Sequence, residues 1–326
     1  MPPPADTLAT TLGVESDVGL IWDLPGGHRL RLKGGAVVDF GEVERTTTEG
    51  ITPFPSRKLG SVLAADEWML WDGELTIQSA LRTDISDKYG ATIVPRLGAA
   101  WDAPLSYPWR LTLKGGLGRS WRHPSFDELY FDTGLVKGNS ELNSEDAWSF
   151  DTAIKLSYKR LTFQVAAYHL MIDNLILFLP TTAFTLQATD AQGARTTGIE
   201  NRLTYHPFTS LYFDLRYTYM NARFRDSGMQ LPGRSPHVYG ARVRFRKKGL
   251  LLWFAMEGQS AFFMDRFEGI EEESRILYDL GVTASAGPYV SFGVVLKNLT
   301  DVRTSVDAMQ QPLPGLSVLG NVRIKH

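Results

Sequence analysis

The chain of 326 residues contains no cysteine, which excludes a disulfide framework, a thiolate metal site and a cysteine nucleophile. It also lacks long apolar runs: no window reaches the roughly 18 continuous apolar residues of a transmembrane helix. The first residues, "MPPPADTLAT", have neither the charged nor the apolar region of a secretory signal. Excess charge is missing too. With 34 basic and 36 acidic residues the net charge is -2, which makes no case for a nucleic-acid or anionic-lipid partner. Finally, no long window carries a helical 3.6-residue pattern.

What the chain does have is alternation. In "WSFDTAIKLSYK", Trp148, Phe150, Thr152, Ile154, Leu156 and Tyr158 share one face, and Ser149, Asp151, Lys155 and Lys159 share the other. In "LYFDLRYTY", Leu211, Phe213, Leu215 and Tyr217 oppose Tyr212, Asp214 and Arg216. About fifteen such stretches follow one another, centred from near residue 18 to near residue 321, most with about ten or more residues. The connections alternate in length. "PGG" at 25–27, "KR" at 159–160 and "KKG" at 247–249 are short, whereas 41–57, 122–146, 174–193 and 299–315 are long. This pattern predicts an all-β, antiparallel up-and-down meander with tight turns at one end and loops at the other.

Alternation alone does not separate a soluble barrel from a membrane one, because the two differ only in which face is wet. Three features favour the membrane. The strands are long enough for the roughly 9–11 residues of a tilted span. Aromatics such as Trp22, Trp71, Trp109, Tyr205 and Tyr289 recur near strand ends, as in an interfacial girdle. The polar face is highly charged, and Arg110, Lys114, Asp214, Arg216, Arg242 and Arg244 are read as a lumen wall. Asp214–Arg216 and Glu200–Arg202 are expected ion pairs.

A run of short motifs carries a resemblance. In order they are Pro95-Arg96-Leu97-Gly98, then "RHPSFDELY" at 122–130, then Gly138-Asn139-Ser140-Glu141-Leu142 followed by Glu145. "TTGIE" at 196–200, "LPGRSPH" at 231–237 and "LKNLTD" at 296–301 continue the series. Together, over about residues 58–326, the chain resembles the mid-to-late barrel of TonB-dependent outer-membrane receptors. That resemblance implies a Gram-negative outer-membrane location and no enzymatic chemistry or cofactor. It implies active uptake of a bulky nutrient such as an iron–siderophore, haem or cobalamin. The implied partners are membrane lipid, the barrel-assembly machinery, a small chelate, and the TonB–ExbB–ExbD system acting through a plug. Family members begin with a signal peptide, a TonB box and that plug, none of which is recognisable here. A plugged barrel has about 22 strands. The expectation is therefore a partial barrel over 13–326, with residues 1–12 as an extracellular loop or irregular start. The terminal His326 departs from the family's usual aromatic. A passive porin-like pore or structural barrel is the alternative.

No histidine or carboxylate spacing suggests a metal or acid–base centre. The Arg122–Tyr130 stretch supports two readings. In one, Arg122, Phe126 and Tyr130 brace the base of a loop. In the other, Phe126, Tyr130 and Phe131 stack on a ligand that Asn139 hydrogen-bonds, with Arg122 and Glu128 nearby.

Overall fold

A computed structural model of the chain describes residues 8–44, 52–53, 57–132, 134–182, 185–303 and 313–324. The start before Leu8, the tips of the 41–57 and 299–315 loops and the terminal His326 lie outside the described residues. Among the described residues there are fifteen long strands, one at each expected centre. They are β1 (Leu8–Leu24), β2 (His28–Glu44), β3 (Arg57–Leu70), β4 (Leu75–Ser86), β5 (Gly90–Ala103), β6 (Trp109–Arg122), β7 (Glu145–Tyr158) and β8 (Leu161–Thr182). They continue with β9 (Thr185–Phe208), β10 (Leu211–Phe224), β11 (His237–Lys247), β12 (Leu250–Gln259), β13 (Arg275–Ala286), β14 (Val290–Lys297) and β15 (Ser317–Ile324). Strand β1 begins at Leu8, earlier than the boundary expected at residue 13.

The contacts divide the chain into two units. One comprises residues 1–101, 115–150 and 170–194; the other comprises 102–114, 151–169 and 195–326. In the first, β1 to β5 form successive antiparallel hairpins, with registers such as Gly35↔Ser61, Ser61↔Asp84 and Asp84↔Thr92. In the second, β10 to β15 do the same, with Asp214↔Arg242, Arg242↔Ala255 and Ala255↔Asp279 in line across four strands. Every pair in these two runs joins neighbours in the chain, which is the expected meander.

The sheet faces are the reverse of those in a water-soluble protein. On β4 and β5, Leu81, Ile85, Ile93 and Leu97 share a face and stand about half exposed. On β10 and β12, Leu215, Tyr217, Leu252 and Phe254 do likewise. The other face of the same strands carries Arg82, Asp84 and Arg96, or Asp214, Arg216, Arg242 and Glu257. A protein in water does not leave apolar faces of this extent uncovered; in hydrocarbon they are the stable surface. Among the described residues, no helix is long and apolar enough to cross a membrane.

Residues 174–193 differ from expectation. They are not a loop: β8 and β9 run 22 and 24 residues and carry the extended ladder to either side of 183–184. These lengths are about twice the roughly 9–11 residues of a membrane span. Within β8, Asn174 has φ 53°.

Candidate functional site

The segment between β6 and β7 is a folded structure built on one arginine. Arg122 ends β6, and Ser125 then caps a one-turn helix, α1 (Phe126–Tyr130). The Ser125 hydroxyl accepts from the Glu128 N–H at 3.2 Å, while the Glu128 carboxylate accepts from the Ser125 N–H at 2.7 Å. This reciprocal capping box satisfies two donors that a helix start leaves unpaired. The Arg122 guanidinium donates to both Glu128 oxygens at 2.8 and 3.0 Å, and its Nε donates to Glu145 at 2.7 Å. Glu145 in turn accepts from the Ile176 N–H of β8 at 2.8 Å. Arg122 thus joins the end of β6, the helix and the start of β7. Burial pushes the Glu128 carboxyl up, but the hydrogen bonds from Arg122 and Ser125 outweigh it and hold the group below its ordinary value.

The rest of the loop closes over this centre. The Gly138 N–H donates to the Phe131 carbonyl at 2.5 Å and the Asn139 N–H to the Glu128 carbonyl at 2.8 Å. A Cβ on Gly138 would lie 2.6 Å from the backbone at Leu129 and Tyr130, so the glycine is fixed by close approach. The Asn139 side chain accepts from the Glu141 N–H at 2.9 Å. Beneath, Leu129, Leu142, Ile176 and Ala188 form a small buried core against which Tyr130 packs. Phe126 and Tyr130 stack with centroids 6.4 Å apart.

Of the six expected contacts here, Arg122, Glu128 and Asn139 direct polar atoms into the loop's own framework. Phe126, Tyr130 and Phe131 are half-buried around it. A neighbouring cavity of about 120 Å³ is lined by Ser61, Arg82, Asp84, Trp121 and His123, among others. Arg82 and Asp84, next-but-one residues of β4, pair at 2.5 Å in its wall, and His123 stacks on Tyr89 and meets Trp121 edge-on. Sequence reading missed this cavity, because its residues come from β2, β3, β4 and the end of β6 and no local motif links them.

In the second unit, Asp214 is the buried centre of a charged cluster. Its Oδ2 accepts from Arg202 at 2.8 Å and from the Tyr212 hydroxyl at 3.0 Å, while Arg216 lies 3.4 Å from Oδ1 and 3.4 Å from Glu257. Arg202 therefore pairs with Asp214 of the next strand; among the described residues Glu200 forms no ion pair. Arg242 lies over Trp253 and Arg244 over Tyr212, at 5.7 and 4.8 Å. Arg110 and Lys114 are exposed, and among the described residues they form no ion pair.

Residues 7–301 match the family model described as TonB dependent receptor-like, beta-barrel. The chain belongs to the TonB-dependent receptor β-barrel family. The strand meander, the inverted faces and the near absence of helix are the fold of that family. No curated protein sequence matches the chain. A mutant of the ferric enterobactin receptor PfeA of Pseudomonas aeruginosa superposes with TM-score 0.80 at 18% identity, covering 98% of this chain and 54% of that receptor. Copper transporter OprC gives 0.81 at 14%, covering 98% and 57%. The siderophore receptor PirA of Acinetobacter baumannii gives 0.78 at 14%, covering 98% and 55%. The chain thus spans a little over half the length of these solved relatives, and at such identities the likeness is one of fold. TonB-dependent receptor barrels are not enzymes. Among the described residues no group of three His, Asp or Glu side chains is placed to hold a metal.

Proposed function

We propose that the chain is an outer-membrane receptor barrel serving TonB-coupled uptake of a small metal chelate, with TonB and ExbB–ExbD acting through a plug. The observation that carries this reading is the braced loop on the family barrel. Arg122, Glu128, Glu145 and Gly138 form a rigid base, and such a base positions contacts with less ordering cost on binding. The Arg82–Asp84–Trp121–His123 cavity beside it offers a cation, an anion and flat rings, a set suited to a polar chelate with aromatic groups. Phe126, Tyr130 and Phe131 are the proposed stacking contacts; Arg122, Glu128 and Asn139 hold them. Solved relatives of the same fold named for ferric enterobactin and for copper support a metal-bearing substrate. Assembly into the membrane falls to the barrel-assembly machinery.

The test is uptake of a radiolabelled ferric chelate by iron-starved cells with and without the gene, each in the presence and absence of TonB. The reading predicts uptake that needs both. Uptake that survives loss of TonB marks a passive pore, and unchanged uptake without the gene contradicts the reading.

A further inference from the structure

The near-neutral net charge conceals a segregated rim. In the second unit the short turns lie side by side, tied by backbone hydrogen bonds. Lys159 N–H bonds Pro108 carbonyl, His206 bonds Arg160, Arg246 bonds Ser210, and Ser285 bonds Gly249. The five turns so joined, 103–108, 158–161, 207–210, 246–250 and 285–290, hold Lys159, Arg160, Arg246, Lys247 and Lys248 and no acidic residue. All five cations are exposed. Lys159 lies over the Tyr158 ring, and among the described residues Lys159, Lys247 and Lys248 form no ion pair. The short turn after β3 in the first unit has the opposite character, with Asp72 and Glu74. Beside the basic turns stand exposed aromatics: Tyr107 at 88%, Phe208 at 64% and Tyr289 at 63%, with Trp109 packed on Tyr158 at 4.4 Å.

Exposed aromatic rings directly adjoining unpaired cations match the boundary of a bilayer, where rings sit at headgroup depth and cations meet phosphate. We infer that this basic rim, built from the short turns of the second unit, binds the phosphate headgroups of anionic glycerophospholipid in the membrane leaflet it faces. Charge complementarity selects that occupant: zwitterionic headgroups offer no net charge to match five cations on turns that hold no acidic residue. In a barrel of this family the short turns face the periplasm, so the leaflet is the inner one. The inference rests on the outer-membrane reading above.

The test inserts the full chain into vesicles of equal phosphatidylcholine and phosphatidylglycerol, extracts it in mild detergent, and counts retained lipids by native mass spectrometry. Insertion is followed separately by heat-modifiable gel migration. The wild-type chain should retain phosphatidylglycerol in excess. The preference should weaken roughly fivefold for each lysine removed in K159Q, K247Q and K248Q combined, and salt should weaken it too. The D72N/E74Q pair, on the acidic turn, should leave it unchanged. An inserted chain without headgroup preference, or one whose preference survives loss of the three lysines, overturns this inference and leaves the membrane reading intact. Failure to insert into these vesicles overturns both.

Discussion

At the scale of single residues, Gly138 and Asn139 show why a loop motif can be a packing rule. The glycine is needed because the chain passes against the backbone of α1, leaving no room for a Cβ. The substitution G138A is expected to cost about 1–3 kcal/mol through overpacking and to raise proteolytic cleavage between 126 and 142 while the barrel stays folded; equal protease resistance would contradict the role. Asp214 is the second such residue. It is buried and holds two arginines, so D214A leaves Arg202 and Arg216 without their shared partner. The arginines are about half exposed, so the expected loss is about 1–2 kcal/mol rather than the larger cost of a fully buried pair, measured by urea unfolding in bilayers. The Asp214–Arg216 pair was readable as next-but-one residues on one face. The Arg202–Asp214 bond was not, since it depends on the register between strands.

At the scale of elements, strands were legible and the helix was not, for a physical reason. Period two repeats over ten or more residues, whereas α1 has five and cannot show a 3.6-residue period. Its one local sign was Ser125 with Glu128 three residues on, the capping-box spacing. S125A should cost about 1 kcal/mol of local loop stability, seen as faster hydrogen exchange at 126–131 with the strands unaffected. The Glu128 latch also sets a pH dependence. Its carboxyl titrates below the ordinary value in the folded loop. Its stabilising contribution is therefore fully present above the ordinary carboxylate range and is lost as pH falls through the depressed value. Exchange protection in the loop should hold at neutral pH and through the ordinary carboxylate range and fall only at more acidic pH, and E128Q should flatten that dependence. The hairpin of β8 and β9 was misread because Pro180, Thr181 and Thr182 look like loop composition. Proline is tolerated where a ladder donor is not required, and the extended backbone continues through Thr182.

At the scale of the whole molecule, the distribution of side chains between sheet faces decides the environment. The alternation, the strand count and the family motifs were all visible in one dimension. The cavity at Arg82 and Trp121 was not, and neither was the basic rim, because both are assembled from segments that only pairing brings together. The absence of cysteine offers a direct probe of the central claim that the apolar face lies in lipid and the charged face does not. Single cysteines at F213C, L215C and Y217C, and at Y212C, R216C and T218C, can carry a nitroxide on the chain inserted in bilayers. Collision with dissolved oxygen reports lipid, and collision with a water-soluble nickel chelate reports water. Oxygen-dominated relaxation is expected at 213, 215 and 217 and nickel-dominated relaxation at 212, 216 and 218. Water access at 213, 215 and 217, or no period of two along β10, would contradict it.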